Sequence, residues 1–250
     1  MDALDTAALA IPLVAGPLAA WTVVKRGEQQ RESKEEETLQ RRLRDQADLA
    51  APMILRGLLN EEDIERVYSY ANEVRDGMAP DEEGGWVRCT PGHEKIFLHH
   101  GGRMRDAVWR TFPEVCPAVM SKLLDAMHSS PLRASTWKRT SLALQPDLHV
   151  RCVEFHKYTA GGGLIDLGHI DIGTSLTMSV QLSPPESFQG GLFTTTATDG
   201  HVTQHKLNRD DAVIFCSESV HNVQTVEGGT RNSLVVELWT SEPNRVDRFH

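Results

Sequence analysis

From residue 149 to residue 239 the chain is a succession of short runs rich in β-branched and aromatic residues, each closed by Gly, Pro, Asn or Asp. The runs fall at 149–158, 175–182, 192–197, 201–207, 212–216, 221–226 and 231–239. That many short strands in so little chain imply an antiparallel sandwich or barrel. What precedes them reads differently. Asn60 is a good N-cap ahead of Glu61, Glu62 and Asp63, whose charges suit a helix start. Ile64, Val67, Tyr68, Ala71 and Val74 then repeat at helical spacing. A second stripe, Val119, Met120, Leu123, Leu124 and Met127, predicts a helix over 116–128. Both stripes are ordinary core-facing surfaces. Residues 76–102 are rich in Gly, Pro and charge and are expected to form an irregular loop or a lid. The histidines there, His93, His99 and His100, have no metal-site spacing. There is no internal repeat.

At the other end, residues 6–24 run without a charge, close to the length of a membrane-crossing helix, although Pro12, Gly16 and Pro17 weaken it. Residues 1–24 are therefore expected to be a single-pass N-terminal membrane anchor. Lys25, Arg26 and Arg31 follow, which would leave the body on the cytoplasmic side. A loosely docked apolar N-terminus on a soluble cytoplasmic protein is the competing reading. Residues 25–48 mix basic and acidic residues and read as a solvated linker or stalk helix, with pairs such as Glu37 and Arg41 at i,i+4. The net charge of −9 argues against a nucleic-acid partner. The four cysteines (Cys89, Cys116, Cys152 and Cys216) include no C-x-x-C pair, so neither a disulfide framework nor a cysteine zinc site is expected.

Chemistry concentrates in the β-rich part. The run GHID places His169 and Asp171 two positions apart, on one face of a strand, where they can grip one ion together. His221 supplies a second imidazole, and Arg231 opens the run RNSLVVELW. Two histidines and one carboxylate form the facial triad of non-haem Fe(II) sites, which leaves coordination positions open.

The ordered set is more specific than any member. Tyr158-x-x-Gly161 precedes His169-x-Asp171; Gly190-Gly191-x-Phe193, His221 and Arg231-x-Ser233 follow. This pattern resembles the Fe(II)/2-oxoglutarate-dependent dioxygenases, in particular the prolyl 4-hydroxylase-like branch. The resemblance implies a mainly β fold with flanking α, a double-stranded β-helix or jelly roll with N-terminal helices packed on one sheet. The domain would span 51–250, with a helical part at 51–148 and the jelly-roll core at 149–240.

The resemblance also implies roles. His169, Asp171 and His221 would hold Fe(II), with 2-oxoglutarate and O2 taking the open positions and ascorbate keeping the iron ferrous. Arg231 would bind the far carboxylate of 2-oxoglutarate, since a guanidinium forks onto a carboxylate through two bonds. Ser233, on the same strand face, would donate its hydroxyl to that group, and the Tyr158 phenol would hydrogen-bond the cosubstrate. Many prolyl hydroxylases carry lysine at the position of Arg231. Gly190 and Gly191 would permit a tight connection near the metal, and Thr177 and Asn222 are candidates to line the cavity. Where relatives commonly have Gly-Asp, this chain has Asp210-Asp211, which suggests a different turn. The expected reaction is hydroxylation of a C–H bond, with a prolyl residue of a peptide or protein as one substrate class and a small molecule as the other. Membrane-bound relatives more often face the lumen of the endoplasmic reticulum. A catalytically silent metal-binding jelly roll, acting as a scaffold or sensor, would have Arg231 pointing away from the metal or the cavity filled by side chains, and a cupin-like isomerase using Zn or Mn would need neither Arg231 nor Ser233. Sequence leaves the oligomeric state open.

Overall fold

Two long strands form the spine of the molecule. In the computed structural model, which describes residues 17–77, 86–100, 111–135 and 147–240, β4 (His149–Thr159) and β11 (Val226–Trp239) pair antiparallel from His149↔Trp239 to Thr159↔Thr230. Five further strands complete the main sheet: β1 (Met53–Leu55), β2 (Trp86–Thr90), β3 (His93–His100), β5 (Leu176–Gln181) and β9 (Ala212–Cys216). Its order is β1-β9-β5-β11-β4-β3-β2, and the short β6 (Phe188–Gly190) pairs with the start of β11. A smaller sheet of β10 (His221–Val223), β7 (Phe193–Thr196) and β8 (Val202–His205), in that order, closes over the inner face.

Period-2 alternation gives the main sheet two unlike faces. Val153, Phe155, Leu234, Val236, Met178, Val180 and Ile214 face outward and are covered by helices α2 (Glu61–Gly77) and α4 (Pro117–Ser129), the latter preceded by the single turn α3 (Phe112–Val115). The helices contribute Ile64, Val67, Tyr70, Ala71 and Val74 from one stripe and Val119, Met120, Leu123 and Met127 from the other. Each such side chain stabilises the fold by roughly 1.5–3 kcal/mol on transfer from water. The start of α2 is closed as the sequence predicts: Asn60 Oδ1 accepts from the Asp63 amide at 2.9 Å, and Asp63 Oδ2 accepts from the Asn60 amide at 3.0 Å. Lys122 on α4 also donates to the Asp63 carboxylate, tying the two helices together.

The other face of the main sheet looks into the space between the sheets and is mostly polar. Tyr158, His156 and Glu154 of β4 lie here with Ser233 and Glu237 of β11, and they help enclose a cavity of about 380 Å³. A small apolar cluster of Phe193, Phe215, Val213, Leu207, Val223 and Val226 packs beside them.

One expectation fails in an instructive way. Residues 86–100 are a hairpin in the main sheet, β2 and β3, and β3 pairs with β4 from His93↔Tyr158 onward; residues 78–85 lie outside the described residues. Pro91-Gly92 is a turn, with Gly92 at φ +78°, and its carbonyl accepts the Thr159 amide at 2.8 Å. Ile96 and Leu98 alternate toward the helices, while His93 and Lys95 turn inward to the polar cavity. A strand with one face in a polar site lacks the composition that marks strands.

Helix α1 (Pro17–Asp45) carries most of the charged segment, and its last turns lie against the jelly roll, with Leu43 buried. Among the described residues no helix is long and apolar enough to cross a membrane. Residues 1–16, and so most of the apolar run expected to be an anchor, lie outside the described residues.

Candidate metal centre

His169 and Asp171 do not sit in a strand. They lie in the turn-rich connection between β4 and β5, where Asp166 closes a turn through its carbonyl on the His169 amide (3.0 Å) and its carboxylate on the Gly168 amide (3.1 Å). The two side chains converge nonetheless, because the loop is pinned to its neighbours. The His169 carbonyl accepts the His221 amide at 3.1 Å, and the Ser217 carbonyl accepts the Asp171 amide at 2.9 Å. The backbone of the first histidine is thus bonded directly to that of the second. Asn222 contributes from outside the cavity: its amide donates to the carbonyls of Leu164 and Asp166, which fixes the loop.

The ligand atoms of His169, Asp171 and His221 all lie within 4.8 Å of one another. His169 Nε2 is 3.4 Å from Asp171 Oδ1, and His221 Nε2 is 3.6 Å from Asp171 Oδ2. The two imidazoles meet edge to face, with centroids 4.9 Å apart. Nitrogen and oxygen ligands bound at about 2.0–2.2 Å stand roughly 3 Å apart when cis, so a small contraction closes this set on an ion.

Protonation suits that role. The Ser219 carbonyl lies 2.9 Å from His221 Nδ1, which places the proton there and leaves the Nε2 lone pair facing Asp171. Burial lowers the His221 pKa, with Asp171 opposing, so the ring is held neutral. Burial by itself would raise the Asp171 carboxyl, but the His221 and His169 imidazoles and the Thr177 hydroxyl outweigh it and hold it below the usual carboxylate range. Thr177 Oγ1 donates to Asp171 Oδ2 at 2.7 Å and lies 2.8 Å from the Ser217 hydroxyl. An anionic carboxylate beside a neutral imidazole is the form that binds a divalent metal.

The cationic end of the site is Arg231, 1% exposed. Its Nη1 donates to Ser233 Oγ at 3.2 Å, its guanidinium carbon stands 5.4 Å from the centre of the Tyr158 ring, and its buried Nη2 has no hydrogen-bond partner among the described residues. Burial lowers its pKa, but guanidinium starts so far above neutrality that it stays charged. A buried cation with an unused donor is costly unless an anion pairs with it. The donor set thus fits an acidic ligand held beside a metal. Gly191, at φ +62°, makes room: a Cβ there would come within 2.8 Å of Val226 and 3.2 Å of Arg231 Cδ.

Sequence reasoning missed the wall that joins these two ends. His156 Nδ1 lies 2.9 Å from His93 Nε2 and 3.2 Å from the Tyr158 hydroxyl, and His156 Nε2 lies 2.9 Å from Glu154 Oε2. Burial and neighbouring positive charge push His93 down to about 3, so it is neutral. Burial keeps Tyr158 a phenol, with Arg231 opposing. The signal was present: Glu154, His156 and Tyr158 recur with period 2, and Val153 and Phe155 between them face the other way. Gly162 seats this wall against the β2–β3 turn, since a Cβ there would meet the Gly92 carbonyl oxygen at 1.9 Å.

Asp210 stands where relatives commonly have glycine. It takes φ +80°, the left-handed conformation that favours glycine, in the turn before β9. Asp211 holds it by accepting from Arg56 and from the amides of Gly57 (3.2 Å) and Asn208 (2.7 Å).

No family model matches the chain. A PKHD-type hydroxylase of Hyphomonas neptunium is 35% identical over 78 residues, a match covering 31% of this chain and 33% of that protein. The chain therefore aligns with about a third of the length of that curated relative. Among solved structures, a prolyl hydroxylase of Trichoplax adhaerens, in complex with a hypoxia inducible factor oxygen degradation domain peptide fragment, superposes with TM-score 0.51 at 16% identity, covering 85% of this chain and 93% of that one. A 2OG-Fe(II) oxygenase family oxidoreductase of Burkholderia pseudomallei superposes with TM-score 0.50 at 13% identity, covering 85% and 94%. This chain has the double-stranded β-helix fold of the 2OG-Fe(II) oxygenases and prolyl hydroxylases.

Proposed function

We propose that the protein is an iron- and 2-oxoglutarate-dependent dioxygenase that hydroxylates a C–H bond. The observation that carries this reading is the pairing of a three-ligand cluster, His169, Asp171 and His221, with a buried guanidinium that has a donor to spare. Bound Fe(II) would supply the coupling of 2-oxoglutarate decarboxylation, to succinate and CO2, with oxygen insertion into the substrate. The residues of the chain prepare for that coupling. Asp171 stays anionic and His221 stays neutral, with its proton on Nδ1. Arg231 and Ser233 orient the distal carboxylate of the cosubstrate, while Tyr158 keeps its proton and is placed by His156. Asp171, His221, Arg231 and Tyr158 are all buried, so their charges act in a lower dielectric than bulk water.

A peptidyl substrate, with prolyl residues first among candidates, is supported by the rim. Ile165, on the loop that carries His169 and Asp171, lines the cavity and is 67% exposed. An exposed apolar side chain at the mouth of a site suits a carbon-rich chain lying across it rather than a small polar molecule alone. The Trichoplax adhaerens relative is itself a peptide complex. Ascorbate as reductant, and an endomembrane anchor in residues 1–24, belong to the proposal as well; deleting 1–24 should move an anchored protein into the soluble fraction. The direct test is succinate formation by the purified chain with Fe(II), 2-oxoglutarate and ascorbate, against proline-containing peptides and free amino acids, with mass spectrometry for a product that gains one oxygen. Succinate is expected to rise with a productive substrate. No turnover, coupled or uncoupled, counts against the enzyme reading.

A further inference from the structure

We infer that the end of helix α1, outside the jelly roll, is a positioning element of the metal centre, acting through Arg42 and Gln46. The inference rests on the metal reading above but concerns residues that no ligand pattern includes. Arg42 Nη1 donates to the carbonyl of Gly168, the residue immediately before His169. Gln46 is 7% exposed and bridges two strands: its Oε1 accepts the amide of Val220, immediately before His221, at 2.8 Å. Its Nε2 donates to the Thr196 carbonyl at 2.5 Å. Thr196 follows Thr195, the residue paired with His221 across β7 and β10.

One helical turn therefore fastens the backbone just upstream of both imidazole ligands, and those two backbones are also bonded to each other through the His221 amide and the His169 carbonyl. Leu43, between the two tethers, is 3% exposed and seats the helix. Gly168 admits it: a Cβ at that position would stand 3.3 Å from Arg42 Nη1 and 3.5 Å from the Leu39 Cα. A metal centre tolerates displacements of its ligands of only about 0.5 Å. His169 sits on a loop outside any strand, so its carbonyl partners and this tether stand in for the rigidity that a ladder would provide.

The test uses the full chain and Co(II) alone, read by binding affinity, by the visible d–d spectrum at saturation and by the melting temperature of the metal-free protein. Arg42→Met and Gln46→Leu should each weaken Co(II) binding by about 10-fold or more, the usual cost of losing an outer partner of a ligand, and should alter the spectrum of the saturated site. Arg42→Lys, which keeps a donor for the Gly168 carbonyl, should restore most of the affinity. Gln40→Ala on the same helix should change nothing. If the variants lose thermal stability but bind Co(II) with wild-type affinity and spectrum, α1 is only a structural prop and the inference is wrong. Failure of Arg42→Lys to restore binding also overturns it. A wild-type chain that takes up no Co(II) overturns the metal reading itself, a result distinct from either.

Discussion

Replacing Arg231 by methionine should move ligand affinity and stability in opposite directions. In the free protein the guanidinium is buried, bonded to one hydroxyl and stacked on one ring, and it holds one donor unused among the described residues. Exchanging such a cation for an apolar side chain of similar length is commonly neutral or stabilising. The lost contact to Tyr158 offsets part of the gain, so the melting temperature of the ligand-free chain should hold or rise slightly. In the 2-oxoglutarate complex the same change removes a two-point charge-assisted contact. At about 1.5–3 kcal/mol per bond the loss is about 3–6 kcal/mol, which corresponds to a roughly 10²- to 10⁴-fold weaker Kd. The assay is thermal denaturation with Mn(II) in place of Fe(II), over a series of 2-oxoglutarate concentrations. The wild type should melt at progressively higher temperature, as expected for a ligand that binds only the folded state, and the variant should show almost no response. A variant that melts several degrees lower but responds to 2-oxoglutarate like the wild type would make Arg231 a structural residue and refute the reasoning.

Two other perturbations follow from the same structure. His93 and His205 have pKa values lowered by burial, His93 to about 3, so the unfolded chain binds protons there that the folded chain refuses. The metal-free protein should thus keep its full stability above the ordinary histidine pKa and lose it as pH falls; between pH 7.5 and 5.5 His93 alone accounts for about 1.4 kcal/mol, and urea midpoints that do not fall over that window would contradict the burial of this ring. Asp210→Gly relieves a left-handed aspartate whose carboxyl is raised first by burial and then by Asp211; chemical denaturation should show a gain of roughly 0.5–1 kcal/mol, and a loss would mean that the Asp210 side chain makes a contact the turn needs.

How much of this was legible depended on whether a residue's role leaves a local pattern. The strands carrying Val, Ile and Phe against the helices announced themselves by period, and Asn60 with Asp63 marked the start of α2 before any coordinates. Ligand convergence was legible from residue types, although the stated reason, a shared strand face, was not the one the fold uses; backbone bonds to Ser217 and His221 align the pair instead. The β2–β3 hairpin escaped because His93 and Lys95 spend their face on a polar cavity. Arg42 and Gln46 were unreadable for another reason. They lie in a run of charged and amide residues that looks like any solvated helix, and their partners are main-chain groups more than 120 positions away. A bond to a carbonyl or an amide leaves no mark on the identity of the residue that offers it.

The central claim is that His169, Asp171 and His221 hold one Fe(II). Anaerobic equilibrium titration of the metal-free chain with Fe(II), alongside Asp171→Ala, tests it most directly. One equivalent should bind the wild type, and the variant, its carboxylate gone and its fold intact by circular dichroism, should lose that site. Binding of the same stoichiometry and affinity in both proteins, or of no iron by the wild type, would contradict the claim.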